Sequence, residues 1–219
     1  MQKRDDQEGG SVYTEMSPIL AATSVSVAQT AAAIVARPTG EYTEHDIRGI
    51  IVPAYYELCV PVGVDPVLAV AQLIHETGNL TSFWASRPQR NPAGIGVNGR
   101  KQPDRPALLT NWAFNTQRNQ WEMGNSFATW KDDAIPAHIG RLLAYALPKG
   151  AETEAQRNLI ARALSYRALP DVMRGSAPVL KQLGRAHNPT GQGWASPGND
   201  YGTRVAETAN RILRTTVSS

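Results

Sequence analysis

The chain has 219 residues, a formal net charge of +3 and 42% hydrophobic residues, which suits one globular domain with a tail or a small lobe. That is enough chain to bury a core without help, and the lone cysteine, Cys59, excludes an intramolecular disulfide framework. The mild positive charge is scattered, densest at Arg87, Arg90, Arg100, Lys101 and Arg105, which argues against a dedicated nucleic-acid binder and favours association with anionic polymers such as cell-wall glycans.

Residues 1–40 read as a poorly ordered extension or linker, with small side chains, few large apolar ones and a closing turn at Pro38-Thr39-Gly40. The Ala-, Val-, Ser- and Thr-rich stretch 18–36 does not fit a secretory signal. Asp5, Asp6, Glu8 and Glu15 precede it where a signal carries positive charge, and hydroxyl residues interrupt its apolar run. No segment is long and apolar enough to be expected to span a membrane.

Periodicity begins at about residue 41. In EYTEHDIRGIIVPAYYELC, Ile47, Ile50, Ile51, Ala54, Tyr55 and Leu58 follow helical spacing after a Thr43 N-cap, and Pro53 predicts a kink or break. Cys59, among apolar neighbours, reads as an inert buried thiol. Asp65 and Pro66 then open a sharper helix that Gly78 ends. Its Val67/Val70/Ile74 stripe is joined by Leu68, Ala69 and Leu73, so it is expected to be buried on nearly all sides.

From Thr81 to Trp130 the helical signal fades among Pro88, Pro92, Pro103 and Pro106. A loop-rich lobe is expected there, with one hairpin pairing Trp112–Asn115 with a strand from Trp121 or Phe127 onward. Helices resume with Asp132 or Asp133 as cap and Ile135, Ile139, Leu142, Leu143 and Ala146 on one face. They continue over 152–168, around 179–183, and over about 200–214.

Glu76 closes the most hydrophobic helix, on the face of Gln72 and Ala69 rather than on the Val67/Val70/Ile74 stripe. Its apolar flanks predict desolvation, which disfavours the carboxylate, raises the pKa and lets the group donate a proton near neutral pH. Glycosidic cleavage needs such an acid, because the leaving oxygen departs poorly unless protonated. Judged alone, a glutamate in a last helical turn is more often a solvated surface residue. The four histidines show no metal-ligand spacing, and His75 is expected to point to another face and to pack. No phosphate loop, dinucleotide fingerprint or nucleophile elbow appears, so no cofactor or metal is implied.

Several stretches carry a resemblance. AQLIHETGNL contains Glu76-Thr77-Gly78, and NPAGIGV begins fifteen residues after Glu76 with Asn91-Pro92-Ala93-Gly94-Ile95. SFATWKDDAIPAHIGRLLAY and WASPGNDYGTRVAETANRIL follow in order. Together, over about residues 45–213, they resemble the glucosaminidase family (glycoside hydrolase family 73), whose members carry a helix ending in Glu-Ser/Thr-Gly and then an Asn-x-x-Gly-Ile motif. The resemblance implies a mainly α, lysozyme-like α+β fold over residues 41–219, with a groove between a helical body and a small β lobe.

It implies an endo-β-N-acetylglucosaminidase acting on peptidoglycan glycan strands outside the membrane, in the cell wall or extracellular space, with Glu76 as general acid. Asn91, Gly94 and Ile95 would then form a groove-lining turn. Trp130, Tyr145 and Tyr201 are the candidate sugar platforms, Tyr201 foremost because it falls in the closing motif.

The chain departs from the family pattern at Asn79-Leu80, where Gly-Trp-Gly often follows, so the groove rim is expected to differ. For the second catalytic group the family position points to Glu122 in QWEMGNSF, with Asp104, Asp132 and Asp133 as fallbacks. Without a suitable carboxylate, the substrate's own 2-acetamido group is the alternative nucleophile. A lytic transglycosylase or muramidase, and a wall-binding or phage-type structural module without catalysis, remain open as other readings.

Overall fold

The computed structural model describes residues 12–217, a mainly helical α+β body carrying one small antiparallel sheet. The helices are α1 (Val27–Val35), α2 (Glu44–Asp46), α3 (Val52–Cys59), α4 (Pro66–Thr77), α5 (Ile135–Ala146), α6 (Glu154–Tyr166) and α7 (Tyr201–Leu213). The strands, all between α4 and α5, are β1 (Lys101–Gln102), β2 (Trp112–Asn115) and β3 (Gln120–Met123). No helix among the described residues is long and apolar enough to cross a membrane.

Residues 12–40 are not an extension. Ser26 caps α1 by accepting from the Gln29 N–H, and Ala31 and Ile34 on that helix are buried. Ile19 and Val25 enter the core ahead of it. Upstream, the Tyr13 hydroxyl donates to Asp65 at 3.0 Å, and its backbone N–H donates to Asn210 at 2.9 Å. Small side chains lower the hydrophobic signal of this segment, yet they are what allows a helix to pack closely. Residues 1–11 lie outside the described ones.

The helical path over 44–59 runs on through its proline, and it is a wider turn just before Pro53 that accommodates the missing donor. A Thr43–Asp46 capping box starts α2, a π-helical turn spans Ile47–Ile51, and α3 continues from Val52 with right-handed helical backbone at each junction. Cys59 is fully buried, and burial raises its thiol pKa, which makes it a packing residue.

Asp65, Pro66 and Gly78 act as expected. The Asp65 carboxylate accepts from the Val67 N–H, and Gly78 ends α4 in the left-handed conformation at φ 58°. Every residue from Pro66 to Ile74 is buried, at about 1.5–3 kcal/mol for each of Val67, Leu68, Val70, Leu73 and Ile74. The residues after Gly78 turn inward and do not form a groove rim. Asn79 donates to the Ile34 and Pro38 carbonyls, and Leu80 is fully buried at φ 70°, a conformation costing about 1–3 kcal/mol in a non-glycine residue.

The second central helix, α5, is buried along all its residues. Its entry differs from expectation. Thr129 is the cap, a π-helical turn runs Trp130–Ala134, and Asp132 and Asp133 sit in the first turn, accepting from Thr129. The predicted hairpin is present, with β2 paired to β3 from Gln120 (Ala113 opposite Glu122, Phe114 opposite Trp121), and β1 adds on the other side of β3. The long stretch 167–200 contains only short 3-10 turns, and it delivers Trp194 to the body.

Candidate functional site

The last turn of α4, the first residue of α7, the loop 93–97, α5 and the segment 193–196 surround a cleft of about 520 Å³. That is an ordinary volume for a ligand site. Glu76 lies in its wall and is the only carboxylate among the residues lining it.

Glu76 is four residues after Gln72, so one face of α4 presents both, and both meet Tyr201. The Tyr201 hydroxyl donates to Glu76 Oε1 at 2.5 Å and accepts from Gln72 Nε2 at 2.7 Å. Gln72 Oε1 lies 2.8 Å from His138 Nε2 on α5, and His138 Nδ1 lies 2.7 Å from the Tyr55 hydroxyl on α3. Because the Gln72 amide N–H is committed to Tyr201, its oxygen must accept, which puts the ring proton of His138 on Nε2 and leaves Nδ1 to accept from Tyr55. Four bonds therefore run in one direction, Tyr55 to His138 to Gln72 to Tyr201 to Glu76. The first four members are each no more than 5% exposed.

Burial pushes the His138 pKa down to about 3, so its ring is neutral in this chain. Burial also pushes the Glu76 pKa up from the ordinary carboxylate value, while the Tyr201 hydrogen bond and the nearby Trp194 indole act in the opposite direction. The result is an acid with a raised pKa whose conjugate base already has a neutral donor in place. His75 lines the same cleft, edge-on to Tyr201 with ring centroids 5.3 Å apart, contrary to the expectation that it only packs elsewhere. Burial, with Arg204 nearby, lowers its pKa.

The remaining expected site residues separate into two groups. Gly94 and Ile95 line the cleft. Gly94 has φ 62° and nothing within 4 Å of where a Cβ would sit, so the turn leaves that side of the cleft open. Asn91 sits behind it, fully buried. Its Nδ2 donates to the Ile95 and Asn125 carbonyls (2.8 and 2.9 Å), and its Oδ1 accepts from the Ile95 and Ala93 N–H groups (2.8 and 3.3 Å). It shapes the turn and does not line the cleft. Tyr201 is not a sugar platform either, since it is 5% exposed and its hydroxyl is engaged on both sides.

Trp130 and Glu122 are not brought to Glu76. Trp130 is buried edge-on against Tyr42 (5.6 Å) and lines a separate hollow with Arg87, Arg90 and Asp46. Glu122 is buried on β3, where its Oε1 accepts from Asn115 (3.1 Å), Arg118 (3.2 Å) and Gln120 (2.9 Å). Those donors and the Arg118 charge hold its pKa down against the effect of burial. It ties the hairpin together. The fallbacks Asp104, Asp132 and Asp133 are absent from the cleft lining as well.

The aromatic surface of the cleft comes from Trp194, half-buried and lying 5.8 Å from both His138 and Tyr145, centroid to centroid. Arg141 and Arg167 complete the wall. Trp194 carries no periodic signal, because it follows Thr190-Gly191-Gln192-Gly193 in an irregular segment. Its place in the WASPGNDY stretch, seven residues before Tyr201, was the available clue. Among the described residues no group of three or more His, Cys, Asp or Glu side chains is arranged to hold a metal ion. No protein-family model matches the chain, and no curated protein matches it.

Proposed function

We propose that the chain is a peptidoglycan-cleaving glycosidase of lysozyme-like type, an endo-β-N-acetylglucosaminidase with Glu76 as its general acid. The observation that carries this reading is a single carboxyl group, desolvated yet hydrogen-bonded through a committed Tyr201, in the wall of an open cleft beside an available indole. The motif order around Glu76, Asn91–Ile95 and Tyr201 supports the same reading.

In this scheme Glu76 protonates the leaving glycosidic oxygen as the C1–O bond breaks. The cleft supplies no second carboxylate, so the carbonyl oxygen of the substrate's 2-acetamido group attacks C1 and forms a cyclic oxazolinium ion. The Glu76 carboxylate, held by Tyr201, then takes a proton from water as that water opens the ring at C1 and regenerates the acetamide. Trp194 offers a flat face for a sugar ring.

A lytic transglycosylase is the second reading, and the lone carboxylate is the feature that favours it. There the internal nucleophile is a substrate hydroxyl, and the product is an anhydro sugar without net hydrolysis. Digesting purified peptidoglycan and reading the glycan ends by mass spectrometry decides between them. A reducing-end N-acetylglucosamine is expected. An anhydro-muramyl end transfers the assignment to the transglycosylase. Digestion by Glu76→Gln at the parent rate removes Glu76 from the chemistry, and binding without any released sugar ends the enzymatic reading.

A further inference from the structure

Arg141 is a buried cation in the wall of the Glu76 cleft, and it forms no ion pair there. It projects from α5 and is 7% exposed. Its Nη1 donates to the backbone carbonyl of Arg167 at 2.9 Å, and its guanidinium carbon lies 5.7 Å from the Tyr145 ring centroid and 5.8 Å from that of Trp194. Arg167, exposed at the end of α6, lines the same cleft. Among the described residues neither arginine takes part in an ion pair.

A guanidinium stays protonated in proteins, so burying one without a carboxylate has a real cost. Here burial is the main influence lowering the Arg141 pKa, and the positive charge of Arg167 acts in the same direction. Two cations are thus held together, and the one carboxyl group in the cleft pairs with neither of them. Such an arrangement is a preformed receptor for an anion, because guanidinium forks match the two oxygens of a carboxylate. Trp194 fixes its position relative to the chemistry, since the same indole abuts Arg141 and lines the cleft together with Glu76.

Resting on the glycosidase reading, we propose that Arg141 and Arg167 form a carboxylate-binding subsite in the Glu76 cleft, which makes the protein select carboxylate-bearing hexosamine polymers over neutral ones. The carboxylate has two possible sources on such a polymer, the lactyl ether of a peptide-free muramic acid or the side branches of an attached peptide.

The test is calorimetric binding to Glu76→Gln, which does not turn over its ligand on this reading. The ligands are chitotetraose, a peptide-free tetrasaccharide alternating N-acetylglucosamine with muramic acid, and the same tetrasaccharide carrying its peptides. At least one charged ligand is expected to bind roughly ten- to a hundredfold tighter than chitotetraose, with a preference that shrinks as salt is added. Adding Arg167→Gln, an exposed position that should not disturb folding, is expected to collapse that preference. Arg141→Lys should reduce it, because a lysine lacks the fork. Which charged ligand binds better identifies the source of the carboxylate.

Equal affinity for all three ligands, or a preference that survives Arg167→Gln, overturns the subsite. Turnover by the parent protein separates this outcome from failure of the glycosidase reading. Charge-selective binding with no cleavage keeps the subsite and removes the enzyme. Cleavage of neutral and charged polymers at equal rates keeps the enzyme and removes the subsite, and binding of none of them overturns both.

Discussion

Tyr201→Phe removes one oxygen atom and breaks two bonds with different consequences. The Gln72 amide N–H that donated to that oxygen is left in a site where Gln72 is 1% exposed, out of reach of solvent. An orphaned buried donor of this kind costs about 1–3 kcal/mol. The second lost bond, to Glu76, costs most when Glu76 is a carboxylate, and adds about 1.5–3 kcal/mol at its upper limit. The ring keeps its packing, so the two losses together come to about 2.5–6 kcal/mol at a pH where Glu76 is ionised. The penalty should shrink toward that of the Gln72 amide alone in acid, where Glu76 is protonated in both proteins.

Denaturant titration of parent, Tyr201→Phe, Gln72→Leu and the double variant measures this. Replacing both partners removes the orphaned amide, and the His138 N–H left by Gln72→Leu is common to the single and double variants, so the double variant should be more stable than the sum of the two single losses predicts, by roughly 1–2 kcal/mol. Activity gives an independent readout. The Tyr201 bond lowers the Glu76 pKa, so losing it raises that pKa and moves the alkaline limb of the pH–rate profile to higher pH. Additive stability losses together with an unmoved alkaline limb would refute the coupling of Tyr201 to both groups.

Glu76→Gln should leave the protein more stable than the parent at pH 7, by about 0.5–2 kcal/mol in denaturant titration. Its folded pKa is raised, so the folded state binds more protons than the unfolded one above the ordinary value of 4.5, and parent stability falls as pH rises through the folded pKa. The difference should therefore vanish at lower pH, and a variant less stable than the parent at pH 7 contradicts the raised pKa. Asn91→Asp puts an acceptor opposite the carbonyls of Ile95 and Asn125, and should cost about 2–4 kcal/mol and slow turnover by loosening the Gly94 turn. Unchanged stability in that variant would mean that Asn91 does not hold the turn. Gly140→Ala would place a Cβ 2.0 Å from the Leu159 carbonyl oxygen, forcing α5 and α6 apart. A loss of about 1–3 kcal/mol is expected, a fall in melting temperature of roughly 2–4 °C per kcal/mol, read by calorimetry.

Local rules made some of this molecule legible before its fold was known. The Asp65-Pro66 start and Gly78 stop of α4 depend on single residues and their own backbone needs, so they hold wherever the helix is placed. Gln72 and Glu76 share a face by spacing alone. What could not be read is the register between helices. Gln72 meets His138 across sixty-six positions of chain, and no period along the chain encodes that meeting. The aromatics show the same limit. Trp130 and Trp194 are equally plausible sugar platforms as letters, yet the π-helical turn before α5 sends one into the core, and the irregular segment after residue 184 carries the other to the cleft. Glu122 is the candidate that the family position offers, and position along the chain does not say that Asn115, Arg118 and Gln120 converge on it.

Glu76 faces two demands that pull against each other. To give up a proton near neutrality it needs a raised pKa, which burial supplies, but burial alone would also make the resulting carboxylate costly and slow its formation. Tyr201 relieves the second demand without cancelling the first, because a hydroxyl is a neutral donor and brings no full charge to pull the pKa below the usual range. A neutral donor helps only if its proton points the right way, and a phenol can rotate. Gln72 removes that freedom by occupying the oxygen's acceptor side, Gln72 is held by the Nε2–H of His138, and the Nδ1 of that same ring accepts from Tyr55. Disturbance at Tyr55, buried and not among the residues lining the cleft, should therefore appear at Glu76 as a shifted pH profile and not as weaker sugar binding.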